Sequence, residues 1–273
     1  MSRRPAWWLA FLAKIWPITW ISAKMTRWPV IGPLVTLTSA PLFSGKNLNI
    51  TYLPINEEIQ SAGTLLPVRV IEELIRRSSH RVIINRCTCR DARDCHHHPV
   101  EYGCTLLGEG TREIDPRIAR HVSKEEAIAH LHRTIEDGLV PMAGRVKIDN
   151  FIWGVRDRGK LLTVCHCCHC CCTLWTSGKY LPPEAARSMV PLKGLRMSVD
   201  HARCTHCGTC IDQCHMAAIS LVDGKITHDA VKCIGCGRCV TVCPKRAVTP
   251  EIDDLEEAIR EMTERIGKLA DVA

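Results

Sequence analysis

Two stretches of this 273-residue chain share one cysteine spacing. CTHCGTCIDQC at 204–214 and CIGCGRCVTVC at 233–243 both read C-x2-C-x2-C-x3-C, and every cysteine of the second copy follows its counterpart by 29 residues. Thiols this close together make poor disulfide partners and good ligands for a metal or a metal cluster. The chain carries 18 cysteines, and the other ten are also closely grouped. Ligand thiolates need a reducing compartment, or shielding once metal is bound.

The duplicated spacing resembles the bacterial two-[4Fe–4S] ferredoxin over about residues 196–250. Three cysteines on a tight loop reach three corners of an iron cube. In that family each run lends its last cysteine to the other cluster. The resemblance therefore implies one cluster on Cys204, Cys207, Cys210 and Cys243, and a second on Cys233, Cys236, Cys239 and Cys214. Gly208, Gly235 and Gly237 would let the backbone approach the sulfides. ISLVDGKIT (219–227) reads as a strand pair turning at Asp223-Gly224. Zinc would have no use for the exchanged fourth cysteine. The one departure is His215, where the second run has Pro244; a solvent-facing substitute is expected there, with a donor near a cluster sulfur as the alternative.

Residues 46–180 read as a cysteine-rich α+β domain. LPVRVIEELIRRSS (66–79) puts Val68, Ile71, Leu74 and Ile75 on one helical face, and RVIINRC (81–87) is a β-branched run ending at a cysteine. The capping box Ser123-x-x-Glu126 opens a helix that carries Ile128, Leu131 and Ile135 inward and stops at Gly138. KIDNFIWGV (147–155) and KLLTVC (160–165) read as strands, so both cysteine groups are expected at strand ends. Gly154-x4-Gly159-Lys160 is followed by Leu161, not Ser or Thr, so a nucleotide loop is rejected.

The first group is Cys87, Cys89, Cys95 and Cys104, interleaved with His96, His97 and His98. The second is Cys165, Cys167, Cys168, Cys170, Cys171 and Cys172. Ten thiols exceed what a redox dithiol needs and suffice for one or two further [4Fe–4S] clusters. Adjacent cysteines point different ways, so they either ligate different irons or divide between ligand and packing roles. Zinc is the main competitor, because Cys and His together suit it. The C-x-x-C-H at 165–169 is a chance haem match in so dense a run, and the histidine triplet reads as a solvated loop. The order CTCR…C…E…C, then CHCCHCCC, then the ferredoxin tail resembles anaerobe iron–sulfur proteins known only as 4Fe–4S binding.

The net charge of +7 is concentrated at one end. Residues 1–56 hold Arg3, Arg4, Lys14, Lys24, Arg27 and Lys46 with no acidic residue. A basic tail on a near-neutral body points to anionic lipid and away from nucleic acid. Five of the seven tryptophans (Trp7, Trp8, Trp16, Trp20 and Trp28) lie in the same segment. Lys14 and Pro17 disfavour a membrane span, and Pro29, Pro33 and Pro41 make Trp28–Gly45 a poor helix. The segment reads as an interfacial, monotopic anchor, with an export signal or burial against a partner subunit as alternatives. After the ferredoxin part, Ile252, Leu255, Ile259, Met262, Ile266 and Leu269 form one apolar stripe, suited equally to the chain's own core or to a partner.

The expected architecture is α+β: a membrane-interface anchor (1–45), the cysteine-rich domain (46–180), a dicluster domain (195–250) and an amphipathic helix (251–273). The expected function is electron transfer between a soluble redox partner and a membrane oxidoreductase or the quinone pool, on the cytoplasmic face of the membrane. The alternatives are a substrate-reducing cluster or thiol site in the middle domain, and a zinc-stabilised structural subunit.

Overall fold

The computed structural model describes residues 4–39, 41, 44–54, 66–180 and 186–267. Three short helices come first: α1 (Trp8–Ile15), α2 (Pro17–Met25) and α3 (Gly32–Ser39). Then follow β1 (Leu48–Tyr52), α4 (Leu66–Arg77), β2 (Arg81–Ile84), α5 (Thr88–Asp91), β3 (Thr105–Leu107), β4 (Ala119–His121), α6 (Lys124–Glu136), β5 (Val140–Val146), α7 (Lys147–Trp153), β6 (Leu162–Cys167) and α8 (Thr173–Ser177). The third part holds β7 (Leu195–Val199), α9 (Thr209–Gln213), β8 (Ile219–Val222), β9 (Lys225–His228), α10 (Arg238–Thr241), β10 (Val248–Ile252) and α11 (Leu255–Gly267).

Six strands form one antiparallel sheet in the order β1-β5-β6-β3-β2-β4. Successive side chains alternate between its faces. Leu162 and Val164 of β6 join Leu107 and Ala143 under α4, α6 and α11, with Ile71, Leu74, Leu131, Met262 and Ile266 fully buried there. Val82, Ile84 and Leu106 face the other way, onto Trp8, Leu9 and Leu12 of α1 and Ile152 and Trp153 of α7. α6 begins with the capping box: the Glu126 amide donates to the Ser123 hydroxyl, and the Ser123 amide donates to the Glu126 carboxylate.

The C-terminal stripe docks on the chain's own core. Ala258, Met262 and Ile266 are buried beside α4, with Ile252 and Ile259 against them; Leu269 lies outside the described residues. In the third part β7 pairs with β10, and β8 with β9 around Asp223 and Gly224, whose positive φ values of 49° and 73° are those of a tight hairpin turn.

Three sequence expectations need correction, and one strand escaped the sequence reading. Residues 147–153 are a helix, not a strand. Asn150, Ile152 and Trp153 are buried at helical spacing, and Gly154 closes the helix at φ 72°. The strand lies just upstream, in VPMAGRV, which Pro141 and Gly144 disguised. The Pro141 carbonyl accepts from the Leu53 amide just past β1, so its missing N–H falls at that strand's end. A Cβ on Gly144 would stand 2.1 Å from the Asn49 carbonyl oxygen, so only glycine lets β1 approach β5 there. Residues 32–39 do form a helix, because Pro33 sits in its first turn, where no N–H is needed. Finally, the second cysteine group starts inside a strand, Cys165 and Cys167 being residues of β6.

Candidate metal centres

In the third part, Cys204, Cys207, Cys210 and Cys243 line one cavity, and Cys214, Cys233, Cys236 and Cys239 line another. Each encloses about 350 Å³ including its open mouth. The 29-residue repeat is visible in the backbone. Gly208 and Gly237 start α9 and α10 in the left-handed region, at φ 78° and 71°. Ala217 and Arg246 repeat that geometry at 50° and 48°, and His206 and Gly235 at 53° and 70°. The amides of Ala218 and Ala247 donate to Cys214 Sγ and Cys243 Sγ at 3.3 and 3.2 Å, and that of Gly235 to Cys233 Sγ at 3.4 Å. Amides aimed at sulfur favour the thiolate, the form that binds metal. Burial pushes Cys236 up to about 12, so a bound cation is what makes that thiolate accessible near neutral pH.

Residues 203–247 match the 4Fe-4S dicluster domain. No curated protein and no solved structure matches the chain. The dicluster domain is thus a ferredoxin-like iron–sulfur module. Two cavities, each walled by four thiols and amide donors, fit a pair of cubane clusters.

The ten remaining cysteines divide between two places. Cys95, Cys168, Cys170 and Cys171 converge, with all four sulfurs within 4.8 Å of one another. The inner thiols lie against β6 and the start of α8. Cys89 neighbours both Cys87 and Cys172, and Cys172 neighbours Cys167. Cys104 Sγ lies 3.3 Å from Cys165 Sγ beside them. The run Cys170-Cys171-Cys172 is therefore split, its first two members facing Cys95 and its last facing Cys89. The Thr173 hydroxyl lies 3.3 Å from Cys89 Sγ and accepts from the indole N–H groups of Trp16 and Trp20 at 2.6 and 3.1 Å.

Arg90, fully buried, stands between the two thiol sets. Its Nε donates to the Pro99 carbonyl and its Nη1 to the His166 carbonyl, both at 2.9 Å, and Nη2 donates to the Tyr102 carbonyl. Burial opposes its charge, but the thiols of Cys87, Cys168 and Cys104 more than offset that and raise its pKa. A buried cation facing thiols rather than carboxylates calls for those thiols to be anionic, which bound metal achieves.

Among the described residues, no histidine nitrogen joins the four converging sulfurs. His166 is buried, with Nε2 3.2 Å from the Thr105 hydroxyl and Nδ1 2.9 Å from that of Thr134. His130 Nε2 donates to the Gly103 carbonyl at 3.0 Å. His96 and His97 are exposed, while His98 Nδ1 meets Asp137 at 2.8 Å. The triplet contributes through its backbone, since the amides of His97 and His98 point at Cys95.

His215 overturns the expectation of a solvent-facing residue. It is 9% exposed and lies 4.8 Å from the Trp175 ring and 6.4 Å from Tyr52, centroid to centroid. Burial pulls its pKa down to about 4, so the ring is neutral. Residue 215 faces the middle domain, whereas its repeat mate Pro244 lies on the exposed side. Tyr52, Trp175, Ile234 and Met216 share one apolar cluster with Cys165, Cys167, Cys172 and Cys236, so the inner thiols and the dicluster domain meet in a common core.

No helix among the described residues is long and apolar enough to cross a membrane. The N-terminal segment partly belongs to the middle domain: Trp8, Leu9 and Leu12 are buried, and the Trp8 indole donates to the Ile152 carbonyl at 2.7 Å. Arg4 lies over the rings of Trp8 and Phe151, and Arg93 over Trp20. Trp7, Ile18, Ile21, Trp28, Leu34 and Leu37 remain more than half exposed.

Proposed function

We propose that this chain is an electron-transfer protein of the membrane surface, relaying electrons between a soluble redox partner and a membrane oxidoreductase or the quinone pool. When bound, a [4Fe–4S] cluster takes up and releases single electrons. Cys204, Cys207, Cys210 and Cys243 hold one cluster; Cys233, Cys236, Cys239 and Cys214 hold the second. The inner middle-domain thiols, with Cys87, Cys89, Cys167 and Cys172 as the first candidates, hold a third. The observation that carries this reading is the shared core in which Cys236 packs with Tyr52, Trp175, Cys167 and Cys172, which excludes water between the two sites.

The chain's residues give the relay two ends. Cys207 is the exposed member of its quartet, so that face of the dicluster domain receives the soluble partner. The exposed tryptophans and aliphatics of the first three helices, with Lys14, Lys24 and Arg27, meet lipid headgroups or a membrane subunit. The inner thiols lie behind α1 and α2, nearer that surface. The test is spectroscopic. Reduced, anaerobically purified protein should show paramagnetic signals from interacting clusters, and Trp175→Leu should weaken the interaction between the inner centre and the dicluster pair. A colourless protein without such signals defeats the proposal.

A further inference from the structure

The ferredoxin quartets serve as an internal standard for cluster geometry. A cubane attaches its four thiolates to four different irons, so the sulfurs stand well apart around a body that needs room. Both quartets of the dicluster domain surround such a cavity. Cys95, Cys168, Cys170 and Cys171 do the opposite. Among the described residues they are the one set of three or more metal-ligating side chains drawn within 4.8 Å of one another. Cys95 Sγ and Cys170 Sγ are 3.8 Å apart. Four sulfurs at about 2.3 Å from a single zinc define a tetrahedron with edges of about 3.8 Å.

The surroundings suit a closed, dianionic tetrathiolate. Arg90 faces Cys168 from the buried side, as it does Cys87 and Cys104, and Arg238 of the dicluster domain, which acts first on Cys236, also acts on Cys170. Both guanidiniums are shared with neighbouring thiols, and they offset part of the two net negative charges of a divalent ion with four thiolates. The amides of His97 and His98 support Cys95. The nearby imidazoles are engaged or turned to solvent, so no water-bearing fourth position is built, as a catalytic zinc would require.

From the sulfur spacing, with guanidiniums close by, we infer that Cys95, Cys168, Cys170 and Cys171 bind one structural zinc ion, distinct from every iron–sulfur centre of the chain. This goes beyond the electron-transfer reading and stands whether or not the inner thiols carry a cluster. The ion would clasp the Cys95 loop to the turn after β6 and fix the face on which Arg238 docks.

The test uses the full chain, produced with iron in excess and purified anaerobically, with iron, zinc and X-ray absorption at the zinc edge measured together. The expected result is about one zinc per chain with four sulfur neighbours at about 2.3 Å. In the double variant Cys170→Ser/Cys171→Ser, zinc should fall on the order of tenfold or more while iron stays unchanged. Zinc well below one per chain in the unaltered protein overturns the inference. So does zinc that survives in the double variant, or a loss of about four irons from it. The first measurement needs no variant, so misfolding of the double mutant leaves the question decidable.

Discussion

The dicluster domain and the six-stranded domain differ in what fills their interiors. Between β7 and β10 the buried apolar residues of the first are few: Met197, Val240 and Val248 in one patch, Ile219 and Ile226 in another, each wrapped by its own ligand cysteines. The six-stranded domain buries Ile71, Leu74, Ile75, Leu107, Leu131, Leu162 and Val164 on one face and Val82, Ile84, Leu106, Ile114 and Ile118 on the other, with Cys104 packed against the second. At about 1.5–3 kcal/mol for each large side chain buried, the second core sustains a fold and the first does not. In one region ligand cysteines stand where a core would be; in the other the cysteines are set into a core that already exists.

The strongest test of this contrast is to remove iron and sulfide anaerobically and follow amide exchange by mass spectrometry. Residues 203–247 should lose protection almost completely, while β5, β6 and α6 keep theirs. Equal loss in both regions would show that the sheet also depends on metal. The next effect in size concerns Gly144 of β5. Gly144→Ala drives a methyl group into the Asn49 carbonyl and should cost more than about 3 kcal/mol in a denaturant titration, or block folding. Little change would mean that β1 is free to move away from β5.

Arg90→Met probes the thiols directly. If they are metal-bound thiolates, removing their buried counter-charge should cost about 3–5 kcal/mol and strip metal from the middle domain, leaving the dicluster signals intact. If the thiols are neutral, the cost should be only that of the hydrogen bonds lost by the Pro99, His166 and Tyr102 carbonyls, about 1–3 kcal/mol, with metal content unchanged. A midpoint shift read together with metal content separates the two.

How much of this was legible follows the same division. The dicluster repeat could be read from spacing alone, because its ligands are local in sequence and its turns need glycine at set offsets. The capping box of α6, the face of α4 and the Asp223-Gly224 hairpin were equally local. What could not be read depends on contacts far apart in the chain. β5 hid behind Pro141 and Gly144, each tolerated only because of where β1 ends or approaches. α7 is rich in residues that favour strands, and only the packing of Ile152 and Trp153 beneath α1 decides for helix. The division of Cys170, Cys171 and Cys172 between two sites depends on the turn into α8, and His215 was misjudged because nothing near it in sequence reveals Trp175. The domain boundaries are likewise blurred by α11, which belongs by position to the dicluster end and by packing to the sheet.

The N-terminal helices divide into two faces that should respond oppositely. Leu12→Ala empties a site 3% exposed beneath α1 and should cost about 2–5 kcal/mol while leaving vesicle binding unchanged in the protein that remains folded. Leu34→Ser with Leu37→Ser alters side chains 62% and 72% exposed. Stability should move by less than about 0.5 kcal/mol, and binding to vesicles containing anionic lipid should weaken several-fold. Unchanged sedimentation with vesicles would assign that face to a protein partner instead.

The most local effect is expected at Gly224. Gly224 has a φ of 73°, and a Cβ there, as at Gly208, would meet nothing within 4 Å. Its substitution by alanine therefore carries only the backbone cost of the left-handed region, about 1–2 kcal/mol. In the cluster-loaded protein that cost is spread over a domain held mainly by ligand bonds, so Gly224→Ala should leave iron content and the reduced spectrum unchanged. It should show itself only as faster amide exchange in β8 and β9. If Gly224→Ala released iron, the hairpin would be part of the cluster-holding framework, and the apolar patch of Ile219 and Ile226 would contribute more to this domain than its size implies.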